Sequence, residues 1–141
     1  RGVEAEVEHR WGQGLRLKAA YGWQQANNAW TGEPLVNAPR HLAKIQWSGP
    51  FGNFPGATWT HGRLGLELIG VSSRRSPSSH VAGHVLAHLT YSATLSSGTQ
   101  LSFSVHNLFD RRYADPASFE IRGHSLLQDG RSLRVKLTHR F

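Results

Sequence analysis

The sequence predicts an all-β protein, an antiparallel up-and-down sheet of about seven strands with the character of a transmembrane β-barrel wall. Three observations carry this. Apolar and polar side chains alternate with period two along most of the chain, and only a strand sorts such a pattern onto opposite faces. Long and short connections alternate between the runs, as they do where a barrel has short turns at one rim and long loops at the other. Composition agrees: the 141 residues are 38% hydrophobic and 18% charged with 15 glycines, thin for a soluble core and ordinary for strands with one polar face. No stretch approaches the roughly 20 apolar residues of a spanning helix, so any membrane crossing must be made by strands.

Taken in order, the first run, Gly2 to Trp11, sets Val3, Ala5, Val7, His9 and Trp11 against Glu4, Glu6, Glu8 and Arg10. After the turn "GQG", Leu15 to Gln25 sets Leu15, Leu17, Ala19, Tyr21 and Trp23 against Arg16, Lys18, Ala20, Gly22 and Gln24. Two antiparallel strands joined by a glycine-containing turn are the natural reading. The third run, His41 to Ser48, holds Ala43, Ile45 and Trp47 on one side. A fourth, Thr58 to Val71, carries Leu64, Leu66 and Leu68 opposite Arg63, Gly65, Glu67 and Ile69. The fifth, Val81 to Leu95, sets Val85, Ala87, Leu89, Tyr91 and Ala93 against His84, Leu86, His88, Thr90, Ser92 and Thr94. Leu101, Phe103 and Val105 alternate with Ser102, Ser104 and His106 in the sixth. The seventh sorts Leu133, Val135, Leu137, His139 and Phe141 from Ser132, Arg134, Lys136, Thr138 and Arg140.

The connections "GQG", "GPFGNFPGA" and "SSGT" are tight or intermediate, whereas "ANNAWTGEPLVNAPR", "SSRRSPSSH" and "DRRYADPASFEIRGHSLLQDG" are long. The long ones all fall at one end of the sheet. Aromatics gather near strand ends, at Trp11, Trp23, Trp47, Trp59, Tyr91, Phe109 and Phe141, where interfacial girdles require rings with an apolar body and a polar handle.

The absence of cysteine excludes a disulfide framework and thiolate metal sites. A formal charge of +7 suits an anionic ligand, lipid headgroups or a polyanion. Ser, His and Asp occur without a nucleophile elbow or similar context, so the chain is not expected to be an enzyme. His80, His84 and His88 recur every fourth residue, but on a strand that spacing separates them by roughly 13 Å; a polar lumen-facing role fits His84 and His88, and no metal or cofactor is expected. Arg1 leads directly into an alternating pattern with no apolar signal-peptide core, which suggests a piece of something larger.

At "SVHNLFDRRYADP", Ser104 to Pro116, followed by "QDGRSLRVKLTHRF", Gln128 to Phe141, the chain resembles the carboxyl end of TonB-dependent outer-membrane receptors. In that family a penultimate strand ends in Asn-Leu-Phe-Asp, a basic-aromatic segment enters a loop, and a Gly-Arg pair opens the last strand. "NAPRHLAKIQW", Asn37 to Trp47, is similar to the family's segment entering an earlier strand. The resemblance implies that residues 1–141 are the last seven strands of a 22-stranded barrel with a plugged lumen, without the plug, the energy-coupling box and the earlier strands, in the bacterial outer membrane. As a single chain they should form an open curved sheet. The implied topology puts Phe141 on the periplasmic side and the three long connections outside the cell.

The resemblance also implies function and partners. The whole receptor would import an iron-siderophore or similar scarce nutrient, with its plug and the TonB energy-coupling complex as partners. Candidate ligand contacts in the outer loops are Trp30, Arg74, Arg75, Arg111, Arg112 and Tyr113, since Arg reads carboxylate or phosphate in bidentate fashion and an exposed Arg74–Arg75 pair would attract an anionic chelate. Asn107 and Asp110 are read as shaping the strand end. Gly130, Leu133, Val135, Leu137 and Phe141 form the expected signal to the barrel-assembly machinery, which reads a free strand edge; His139 departs from the aromatic or apolar residue usual there. Outer-membrane lipid is the remaining expected partner, and nucleic acid is not. Two further readings stay open on the residues alone: a smaller porin-like barrel, and a soluble basic β-domain binding polyanions.

Overall fold

The computed structural model describes residues 1–52, 59–95 and 98–140. Its strands are β1 (Gly2–Arg10), β2 (Arg16–Gln24), β3 (His41–Pro50), β4 (Trp59–Val71), β5 (Arg74–Arg75), β6 (His80–Val81), β7 (His84–Leu95), β8 (Thr99–His106), β9 (Ala114–Pro116), β10 (Ser125–Leu127) and β11 (Ser132–His139). Seven of them form one sheet in the order β1-β2-β3-β4-β7-β8-β11, with every neighbouring pair antiparallel. These are the seven runs expected from period-two alternation. The predicted start of the fifth run, at Val81, belongs instead to a separate two-residue strand that pairs with β5.

Register keeps the faces apart across the whole sheet. One apolar row runs His9, Leu17, Trp47, Leu66, Leu89, Val105 and Leu133, each paired with the next on the neighbouring strand. Directly beside it, on the other face, runs Arg10, Arg16, Ser48, Gly65, Thr90, Ser104 and Arg134. A slip of one residue in any pair would exchange the two rows, so the alternation in sequence is what specifies the pairing. Away from β7 and the long-loop end, both faces are largely uncovered. Leu133, Val135 and Leu137 of β11 remain about two-thirds exposed (66%, 66% and 67%), as do Val3 and Val7 of β1 (63% each).

The sheet is open. β1 and β11 are its edges, and every residue of both strands is exposed. An odd number of antiparallel strands leaves the two edges running in the same direction, so they cannot close on each other in the antiparallel pattern of the rest.

Local geometry follows residue type. The β1–β2 turn closes through Trp11 N–H to the Leu15 carbonyl at 2.9 Å, with Gly14 left-handed at φ 77°. In β4 the register shifts between Thr60 and Arg63, which pair with Thr94 and Ser92, and His61 takes φ 53°. This β-bulge inserts one residue and breaks the alternation. Two ring contacts lie toward the short-turn end: Trp11 packs edge-on to His9 at 4.3 Å and Phe51 edge-on to Tyr91 at 6.3 Å. Trp23 pairs with His41 toward the long loops. The side chain of Trp59, and Phe141, lie outside the described residues, as do parts of "GPFGNFPGA" and "SSGT".

Candidate functional site

Buried residues gather at the long-loop end. Val81, Leu86 and Ala117 are buried there with the polar residues Arg74, Ser76, His84 and Asn107. Two short hairpins, β5–β6 and β9–β10, rise from the second and third long connections. Their strands, of two or three residues, are too short to show a period in the sequence.

Arg74 binds the three long connections together. Only 9% of this residue is exposed. Its guanidinium donates to Asn37 Oδ1 at 3.2 Å, to the Ala114 carbonyl at 3.2 Å and to Asp115 Oδ1 at 2.6 Å. The first, second and third connections therefore meet on one side chain, whose planar fork can serve several acceptors at once. Asn37 N–H also donates to the Arg75 carbonyl at 2.9 Å, and Arg75 pairs with Glu33 at 2.9 Å. The Ser78 hydroxyl bonds His124, adding a further tie between the second and third connections.

The six candidate contacts thus occupy different situations. Arg74 is buried and engaged internally, where the sequence suggested an exposed pair; the neighbouring Arg75 is half-buried. Trp30 is 94% exposed on a turn held by Asn28 Oδ1, which accepts from the backbone N–H of Trp30 at 2.8 Å and of Thr31 at 3.2 Å. Arg111 and Arg112 are exposed. Tyr113 packs against His84 with ring centroids 4.5 Å apart, and burial, then Asp115 and Asp129, push its phenol above the usual range, so it stays protonated. No short sequence rule links Arg74 to Asp115, 41 residues away.

The strand-ending motif is built as its residue types demand. Asn107 and Asp110 both take left-handed backbone, at φ 51° and 53°, which Asn and Asp tolerate best after Gly. Asn107 Oδ1 accepts from Arg111 N–H at 2.8 Å and its Nδ2 donates to the Arg111 carbonyl at 2.9 Å. Asp110 Oδ1 accepts from Arg131 N–H at 2.7 Å, just before β11. A Cβ at Gly130 would stand 2.7 Å from that same oxygen. The glycine and the aspartate, 20 residues apart, are one joint.

Below the loops the polar face is laced with ion pairs. Glu8 pairs with Arg10 at 2.6 Å and Arg16 at 2.9 Å, Glu6 with Lys18 at 2.9 Å, and Glu67 with Lys44 at 2.7 Å. Gln46 donates to Glu67 at 2.7 Å, and His88 Nδ1 accepts from Asn107 N–H at 3.0 Å. Among the described residues no cluster of three His, Cys, Asp or Glu is arranged to hold a metal ion.

An apolar row on one face, a paired polar face on the other and long loops bound together at one end define the wall of a transmembrane β-barrel. The family described as "TonB dependent receptor-like, beta-barrel" matches residues 1–108. This chain belongs to that family, whose members are outer-membrane receptors, and is an outer-membrane protein. Among solved structures it is similar to BauA, the ferric preacinetobactin receptor from Acinetobacter baumannii, at 17% identity and TM-score 0.75, over 96% of this chain and 21% of that one. It is likewise similar to P. aeruginosa FpvA, solved with heterologous pyoverdines and iron, at 18% identity and TM-score 0.77, over 96% of this chain and 19% of that one. The chain spans about a fifth of the length of these two receptors. No curated protein matches it.

Proposed function

We propose that residues 1–141 are the carboxyl-terminal part of the barrel of an outer-membrane receptor that imports a ferric siderophore or a similar scarce nutrient. The long connections lie outside the cell, the polar face lines a lumen filled by a plug, and energy comes through the TonB complex. The observation that carries this reading is the tying of all three long connections through Arg74, in a chain of this family. Loops tied in this way present a pre-ordered rim to a ligand, which lowers the ordering cost of capture.

On this rim Trp30, Arg112 and Arg75 offer a ring face and cations to an anionic chelate, while Arg74 and Tyr113 hold the loops from which they project. β11 serves as the assembly signal through Gly130, Leu133, Val135 and Leu137, with Phe141 completing it. The alternating apolar side chains of this strand support that role, since they fix the register when a strand is added to another sheet edge.

The test is accumulation of radiolabelled ferric chelates by iron-starved cells with and without the gene, across catecholate, hydroxamate and mixed siderophores. Loss of one chelate's uptake on deletion, together with its arrest by a proton uncoupler, supports the reading. Uptake that ignores the uncoupler would mean a porin-like diffusion channel instead.

A further inference from the structure

The apolar face has a gap. Ala43, Gly70 and Val85 stand side by side across β3, β4 and β7. With His41, Ser72 and Gly83 they line a shallow groove at the long-loop end of the sheet, which also touches Val71 and His84 of the other register row and Arg111. Val85 in this groove is 65% exposed.

Gly70 lacks the two usual reasons for a glycine. Its backbone is not left-handed, and an added Cβ would meet Val85 Cγ2 at 3.8 Å and Ala43 Cβ at 3.9 Å, which is ordinary contact. Gly83 differs, since a Cβ there would lie 2.7 Å from the Val71 carbonyl oxygen. Neither backbone conformation nor crowding therefore demands a glycine at position 70, and its missing side chain leaves open space on the apolar face.

The polar end of the groove is equally specific. Arg111 is exposed and its backbone is clasped by Asn107, yet among the described residues its guanidinium has no ion pair or hydrogen bond. His41 is fixed beside the groove, its Nδ1 bonded to the Tyr21 hydroxyl at 2.7 Å and its N–H donating to Ser72 Oγ at 3.0 Å. A cation with no partner among the described residues, carried on a clasped backbone at the mouth of an apolar groove, matches an amphiphile with an acyl chain and an anionic head.

We propose that this groove binds a phosphorylated membrane lipid, its acyl chain lying over Ala43, Gly70 and Val85 and its phosphate meeting Arg111. The site rests on the reading of the sheet as barrel wall, and it takes Arg111 toward lipid, leaving Arg112, Arg75 and Trp30 to the transported ligand.

The receptor, extracted from outer membranes, is reconstituted in nanodiscs of phosphatidylcholine with a minor fraction of phosphatidic acid of the same acyl chains, and retained lipid is read by native mass spectrometry. Phosphatidic acid should be enriched roughly tenfold, the scale of one charge-assisted hydrogen bond. Arg111→Gln and Gly70→Leu should each abolish the enrichment, and Arg112→Gln should leave it. Heat-modifiable gel mobility establishes that each variant is folded, and Gly70→Ala, which fits without crowding, guards against a folding defect by showing a partial loss. Equal retention of both lipids, or enrichment surviving Arg111→Gln or Gly70→Leu, would overturn the site; displacement by inorganic phosphate would reduce it to an anion site without a lipid. Ferric-chelate binding by the same samples is scored separately, so a failed lipid site leaves the transport reading standing, and the converse holds.

Discussion

Arg74 and Asp115 meet at 2.6 Å across 41 residues of sequence, and the arginine is nine-tenths buried. The pair joins the second long connection to the third, and through Asn37 the same guanidinium holds the first. Asp115 is the more exposed partner, its side chain 40% accessible, so the pair is better treated as a charge-assisted hydrogen bond than as a fully desolvated ion pair.

Removing it should loosen the loops without melting the sheet. Arg74→Gln is expected to lower the free energy of local loop opening by about 2 kcal/mol. Where proteolysis follows the open population, cleavage between residues 114 and 127 should then be roughly thirtyfold faster. Arg74→Lys keeps the charge but not the fork, and should fall between. Unchanged cleavage in Arg74→Gln would mean that the loops are held elsewhere.

Gly130 and Asp110 should behave as one joint. Gly130→Ala drives a Cβ toward the carboxylate oxygen that caps Arg131 N–H, at an expected cost of about 1 kcal/mol. In an Asp110→Ala background the same change should cost almost nothing, giving a coupling of about 0.5 kcal/mol or more in a double-mutant cycle. Urea unfolding in detergent reads it, and additive effects would separate the two residues.

Asn107 carries a backbone demand and a hydrogen-bond demand that two substitutions pull apart. It is 3% exposed, left-handed at φ 51° and doubly bonded to Arg111. Asn107→Ala loses both bonds and adds left-handed strain of about 1–2 kcal/mol; Asn107→Gly loses the bonds alone. Alanine should therefore be the worse substitution by about that amount, measured as the temperature of the gel-mobility shift. Equal loss would show that the backbone conformation costs nothing here.

The seven long strands were legible because each keeps one face apolar over many residues, as in the Leu15–Trp23 and Leu133–Leu137 series. Sidedness written that often fixes both the strand and its register. The bulge at His61 was not legible, since one inserted residue looks like an ordinary break in alternation. Nor were the short hairpins, whose two or three residues carry no period. At the loop end, Asn107 and Asp110 announced their backbone role through side-chain chemistry, whereas Arg74 did not. "SSRRSP" reads as exposed polar loop, and only the return of Asp115 and Asn37 through the fold turns one of its arginines into a buried tie.

In a barrel wall the face bearing Leu66, Leu89 and Phe103 meets lipid while Thr90 and Ser104 meet a polar lumen. The chain contains no cysteine, so single cysteines at positions 89, 90, 103 and 104 can be introduced and followed in intact outer membranes without background from the chain. Thr90→Cys and Ser104→Cys should react with a small water-soluble maleimide; Leu89→Cys and Phe103→Cys should resist it, and a fluorophore attached there in detergent should be quenched by brominated acyl chains after reconstitution. Labelling of all four positions at similar rates, with no quenching at 89 or 103, would mean that both faces meet water and that the sheet is not a barrel wall.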